Sequence, residues 1–166
     1  MTAPPPELAA IPLFRGLSEA QMRVVSGVLR RGRAKAGEAI VSEGDIGRSL
    51  FVLVHGSVET TKLMGVIGAD GSAPRQKVLV RMSAPQSFGE IGLLEESPRS
   101  ATVRAATDCE LLEMRREDFE KLVSSDVHLA YVLVRNIASS LIQRLRRTDR
   151  DMVKLTVALS IALGNR

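Results

Sequence analysis

Apolar and polar positions alternate with a period close to two from Arg33 to Met114, and with a period near 3.6 on either side of that stretch. Within the middle region the segments "EAIVSEG", "SLFVLVHGSVETTKL", "QKVLVRM", "SATVRAAT" and "CELLEMR" read as strands. Gly37, Gly44, Gly47, Gly56, the stretch "GADGSAP" and Pro85 punctuate them, and "GADGSAP" is expected to be a mobile loop between strands. Short strands at this spacing predict a small antiparallel β-roll, jelly-roll-like. Before the roll, Ser18 with Gln21 three residues on signals a helix start, and Met22, Val25 and Leu29 supply its apolar stripe. After Arg116 the chain predicts a short helix over Asp118–Ser124, then a long one capped by Asp126. Leu133, Ile137, Leu141 and Leu145 lie on one side of the long helix. The last segment, "DMVKLTVALSIALG", is apolar on most of its faces, so it must be covered, and a second copy of the chain is the simplest cover. The fold class is therefore α+β: a β-roll with an N-terminal helix and C-terminal helices, including one long hinge or lid helix. The expected division is an extended or disordered Pro-rich start over 1–12, the domain with its long helix over 13–147, and a helical extension over 148–166.

Composition changes this picture little. The chain has 166 residues, enough for one domain that buries a real core without staples. Aromatics make up 3% and Trp is absent, which speaks against stacking platforms for single-stranded nucleic acid. A net charge of +4 allows an anionic ligand without requiring nucleic acid, and no direct nucleic-acid binding is expected. Cys109 is the sole cysteine, so no intrachain disulfide can form; it reads as a small buried hydrophobe in a reducing compartment. The N-terminus has no secretory-leader pattern and no apolar run is long enough to span a bilayer, so a cytoplasmic location without membrane contact is expected. His55 and His128 fall in different elements without metal-ligand spacing, and Cys109 has no obvious base. Neither an enzyme nor a resident metal or cofactor is expected.

Chemistry concentrates in "FGEIGLLEESPRSATV", residues 88–103. Phe88, Gly89 and Glu90 lead into a short helical turn, and a helix start offers free backbone N–H groups to an anion. Gly89 removes a side chain where a ligand would approach the backbone. Arg99 adds a planar donor fork suited to phosphate, and Ser100 adds a hydroxyl. A carboxylate beside a phosphate is odd unless it accepts from a sugar hydroxyl, so Glu90 with Arg99 points to a nucleotide. The plainer alternative has Glu90 capping its own turn and Arg99 pairing with Glu95 or Glu96 at the surface.

With "IVSEGDIGRSLFVLVHG" at residues 40–56, this stretch resembles the cyclic nucleotide-binding domains, the family of the bacterial catabolite activator protein, the regulatory subunits of cyclic-AMP-dependent kinase and the cyclic-nucleotide-gated channels. The resemblance runs from about Leu13 to Arg147. It implies that Glu90 bonds the ribose 2′-hydroxyl, that Arg99 binds the exocyclic oxygens of the cyclic phosphate and that Ser100 touches phosphate or purine. It further implies that backbone amides of Gly89, Ile91 and Gly92 face phosphate and sugar, and Phe88 and Ala101 are counted among the ligand-binding residues. Thr102 and Val103 match the strand lining the pocket, and Gly44, Gly47 and Gly56 match structural glycines of the roll. An approximate match of "NIASSLIQRLRR" puts Arg144 near the base, where it could stack on the purine; a solvated basic face with Arg146, Arg147 and Arg150 is the other reading. The implied ligand is cyclic AMP, with cyclic GMP open. The implied role is a sensor that forms a homodimer through its C-terminal helices and signals to an unidentified effector protein. The sensor half of a helix-turn-helix regulator, or an interaction module with an unused pocket, are the alternatives.

Overall fold

A computed structural model describes residues 7–64 and 75–164. The chain opens with helix α1 (Glu7–Ala10) and a 3-10 turn at Pro12–Phe14, followed by α2 (Glu19–Val28). Strands follow: β1 (Arg30–Ala34), β2 (Ala39–Val41), β3 (Ile46–Gly47), β4 (Ser49–His55), β5 (Ser57–Met64), β6 (Arg75–Ser83) and β7 (Gln86–Phe88). Then come α3 (Ile91–Leu94), β8 (Ser97–Pro98), β9 (Thr102–Ala105), β10 (Cys109–Arg115), α4 (Arg116–Ser125) and α5 (Val127–Gly164). The strands form antiparallel sheets in the orders β1-β10-β4-β7 and β2-β9-β5-β6, with a small β3-β8 pair beside them.

The two sheets enclose one apolar cluster, with Leu53, Val58, Phe88, Val103, Ala105, Cys109 and Leu111. Cys109 is buried there, as its small apolar character suggested. A second cluster joins the other face of the first sheet to the helices. In it Leu50, Val52, Leu112 and Met114 meet Val25 of α2, Phe119 of α4 and Leu129, Leu133 and Ile137 of α5. Leu93 of α3 belongs to this second cluster, so the helical turn of the 88–103 stretch is seated against the helical layer.

The helix starts follow local chemistry. Ser18 and Gln21 form a reciprocal capping box at α2. The Asp126 carboxylate accepts from the backbone N–H of Leu129 at 2.9 Å and from the Gln21 side-chain amide at 2.8 Å, tying the starts of α2 and α5 together. Those bonds hold its pKa below the ordinary carboxylate range, the Gln21 amide being the larger cause.

Several sequence expectations change. Residues 7–12 are not an extended tail, because Leu8 and Ile11 are buried and pull the chain into the helical layer. Strand β1, "RRGRA", has no alternation to betray it and is built by its ladder with β10. The long helix does not break near 147; no Gly or Pro occurs from 127 to 163, and α5 runs 38 residues, about 57 Å at ~1.5 Å per residue. The apolar end of α5 is exposed within the single chain, with Leu155 at 70% and Leu163 at 67%. The loop "GADGSAP" lies outside the described residues. Among those described, no helix is long and apolar enough to cross a membrane.

Candidate functional site

The Arg99 guanidinium turns inward. Its Nη2 donates to the Ser49 carbonyl at 2.8 Å and its Nη1 to the Gly89 carbonyl at 3.3 Å. Burial lowers its pKa from the ordinary arginine value, opposed by the fields of Glu113 and Asp45; an arginine so shifted still carries its charge. Glycines make the room for it. A Cβ on Gly47 would lie 2.9 Å from Nε of Arg99, and one on Gly89 would lie 2.7 Å from its Nη1. Gly89 also has φ +80°, a left-handed conformation that side chains disfavour. Gly89 thus makes room for Arg99, and Gly47 serves the site as well as the roll. Ser49 is the partner that sequence reasoning missed; its only signal was a polar residue at the head of the run "SLFVLV".

Glu90 is 3% exposed. It occupies the N-cap position of α3 but makes no side-chain capping bond, so the plainer reading of a self-capping glutamate fails. Arg144 of α5 brings Nη1 to 2.8 Å from Glu90 Oε1. That contact is an ion pair without hydrogen-bond alignment, and among the described residues neither carboxylate oxygen has an aligned hydrogen-bond donor. The other such buried side-chain oxygen among the described residues is the neutral Thr61 hydroxyl, whose burial costs far less than that of a carboxylate. Arg144 is thus tied to the cassette at one end while its side chain stays 49% exposed, and its Nη2 also reaches the Ser87 carbonyl at 3.4 Å.

The remaining site residues divide by role. Phe88 is buried and stacks on Phe51 with centroids 5.5 Å apart, so it fixes the backbone leading into Gly89. The Gly92 amide, expected to face a ligand, donates instead to the Gly89 carbonyl at 3.1 Å, closing the turn. Ile91 is exposed. Among the described residues, the amides of Ser100 and Ala101 have no backbone acceptor, and the Ser100 side chain is exposed. Arg99 does not pair with Glu95 or Glu96 at the surface; Glu96 pairs with Arg48 at 2.6 Å.

The arrangement can hold an anion at Arg99 and the 100–101 amides while Glu90 takes a hydroxyl donor beside it. Among the described residues no cluster of His, Cys, Asp and Glu is placed to hold a metal.

Residues 31–126 match the family profile described as "Cyclic nucleotide-binding domain". The chain is 31% identical over 143 residues to the "Cyclic AMP receptor protein" of Thermus thermophilus, a match that covers 85% of the chain and 60% of that relative. The crystal structure of the Thermus thermophilus catabolite activator protein superposes with a TM-score of 0.72 at 29% identity, over 87% of this chain and 63% of that one. A cyclic nucleotide-binding domain from Methylobacillus flagellatus has the same fold, with a TM-score of 0.75 at 21% identity over 89% of this chain and 80% of that one.

Proposed function

This chain belongs to the cyclic nucleotide-binding domain family, and we propose that it is a sensor whose ligand is cyclic AMP and whose output element is α5. The observation that carries this reading is the buried Glu90 carboxylate. Its ion pair with the half-exposed Arg144 offsets part of the cost of that burial, and a further hydrogen-bond donor would offset the rest. A ribose 2′-hydroxyl is that donor. Arg99, held ready by Ser49 and Gly89, supplies the charge for the cyclic phosphate, and Ser100 and Ala101 add a hydroxyl and amides. The Thermus relative named as a cyclic AMP receptor supports cyclic AMP as the ligand.

Arg144 links the pocket to the output. It reaches Glu90 from α5, so a ribose hydroxyl arriving at Glu90 must share the carboxylate with Arg144 or displace it. Either outcome gives the ligand a differential interaction with the position of α5, which is what a coupled equilibrium requires. Beyond Leu145, α5 exposes Met152, Val153, Leu155, Leu159, Ile161 and Leu163. We assign this face to a homodimer contact and, through it, to an effector protein.

Calorimetric titration with cyclic AMP, cyclic GMP and open-chain AMP tests the reading. Saturable binding of a cyclic nucleotide, with AMP weaker, is expected. No heat with either cyclic nucleotide, or equal affinity for AMP, would refute it.

A further inference from the structure

Three hydrogen bonds brace the cassette backbone at Arg99 and Ser100. The Arg99 N–H donates to the Asp45 carbonyl at 2.8 Å, and the Arg99 carbonyl accepts from the Gly44 N–H at 3.0 Å. The next carbonyl, that of Ser100, accepts from the Lys62 ammonium at 3.2 Å. Lys62 lies in turn 3.5 Å from the Glu43 carboxylate, which also accepts from the Leu63 N–H at 3.4 Å. In a trans peptide the N–H points away from the carbonyl of the same unit. The Ser100 N–H therefore faces away from Gly44, and the Ala101 N–H faces away from Lys62. Among the described residues neither N–H has a backbone acceptor.

Given the cyclic-nucleotide reading of the site, on which this rests, we propose that Lys62 is a positioning residue for the ligand phosphate. It holds the Ser100–Ala101 peptide so that the Ala101 N–H is presented to the anion, and it needs no contact with the ligand itself. The ammonium acts through the peptide in two ways. It fixes the plane of a unit that precedes β9 and so lies before that strand's ladder. It also polarises the unit, because a charged donor on the carbonyl strengthens the N–H at the other end. Glu43 keeps the half-exposed ammonium at the carbonyl rather than in solvent. The plainer role for Lys62 and Glu43 is a surface ion pair, which contributes little by itself.

Calorimetry of the full chain with cyclic AMP, for the wild type, Lys62→Met and Lys62→Arg, provides the test, together with the Ala101 amide proton shift followed by NMR. Lys62→Met should weaken binding by about two- to tenfold, the scale of one partly solvated charged hydrogen bond, and Lys62→Arg should keep most of the wild-type affinity. The Ala101 proton should move downfield when cyclic AMP is added to the wild type, and by less in Lys62→Met. Unchanged affinity in Lys62→Met marks a surface ion pair only, and overturns the assignment of Lys62 while leaving the sensor reading intact. A loss that Lys62→Arg shares in full, or that leaves the Ala101 response as in the wild type, overturns it as well. A wild type that binds no cyclic nucleotide overturns both readings.

Discussion

Glu90 and the last third of α5 depart from a closed fold in opposite ways: one buries a charge without a hydrogen-bond donor, the other exposes a long apolar face. The two departures carry different amounts of information. A buried carboxylate beside a cradled guanidinium specifies its occupant by chemistry, since donors and charge must match position by position. An apolar helix face specifies only that something apolar covers it. Arg144 joins the two, since it lies on α5 just before the exposed stretch and ends at Glu90.

Arg99→Ala is the strongest challenge to the polar region. A charge-assisted bond to phosphate is worth about 1.5–3 kcal/mol, so affinity for cyclic AMP should fall roughly tenfold to a few hundredfold by calorimetry. Unchanged affinity would put the phosphate elsewhere. On the apolar region, Leu155→Glu with Leu159→Glu should convert a dimer to a monomer in sedimentation velocity without unfolding the roll, because both side chains lie outside the core. A wild type that stays monomeric at high concentration would reject the self-contact. Gly47→Ala probes how far the cradle is preformed. Its new methyl would crowd Nε and Cζ of Arg99, and several-fold weaker nucleotide binding with a modestly lower Tm is expected.

The smallest effect is at the junction of α2 and α5. The folded pKa of Asp126 is lowered, so its stabilising contribution is present above the unfolded value, about pH 4, and is lost as pH falls through the lower folded value. The stability gap between wild type and Asp126→Asn, measured by urea unfolding, should therefore narrow as the pH drops from about 5 to about 3. A gap independent of pH would mean that the carboxylate's charge is irrelevant to the junction.

Much of the cassette was legible in the sequence because it is contiguous: Gly89, Glu90, Arg99 and Ser100 lie within one short stretch. The capping box of α2 and the period of the roll are local signals as well. What was not legible depends on contacts between distant segments. The inward turn of Arg99 rests on Ser49, 50 positions away. Arg144 meets Glu90 only because α5 packs back across the domain through Leu129, Leu133 and Ile137. Strand β1 exists because β10 offers it a ladder, and its own residues carry no alternating pattern. The continuity of α5 was obscured because the expected division at 147–148 follows a change from charged to apolar residues, whereas the helix runs through it, with Asp151 and Lys154 paired at 3.7 Å one helical turn apart.

The most direct test of the central claim compares cyclic AMP with its 2′-deoxy analogue on the wild type and on Glu90→Gln. If the buried carboxylate holds the sugar hydroxyl, the wild type should bind the deoxy analogue about tenfold more weakly, and the variant should lose most of that discrimination. Equal binding of both ligands by the wild type, or discrimination that survives intact in Glu90→Gln, would contradict it.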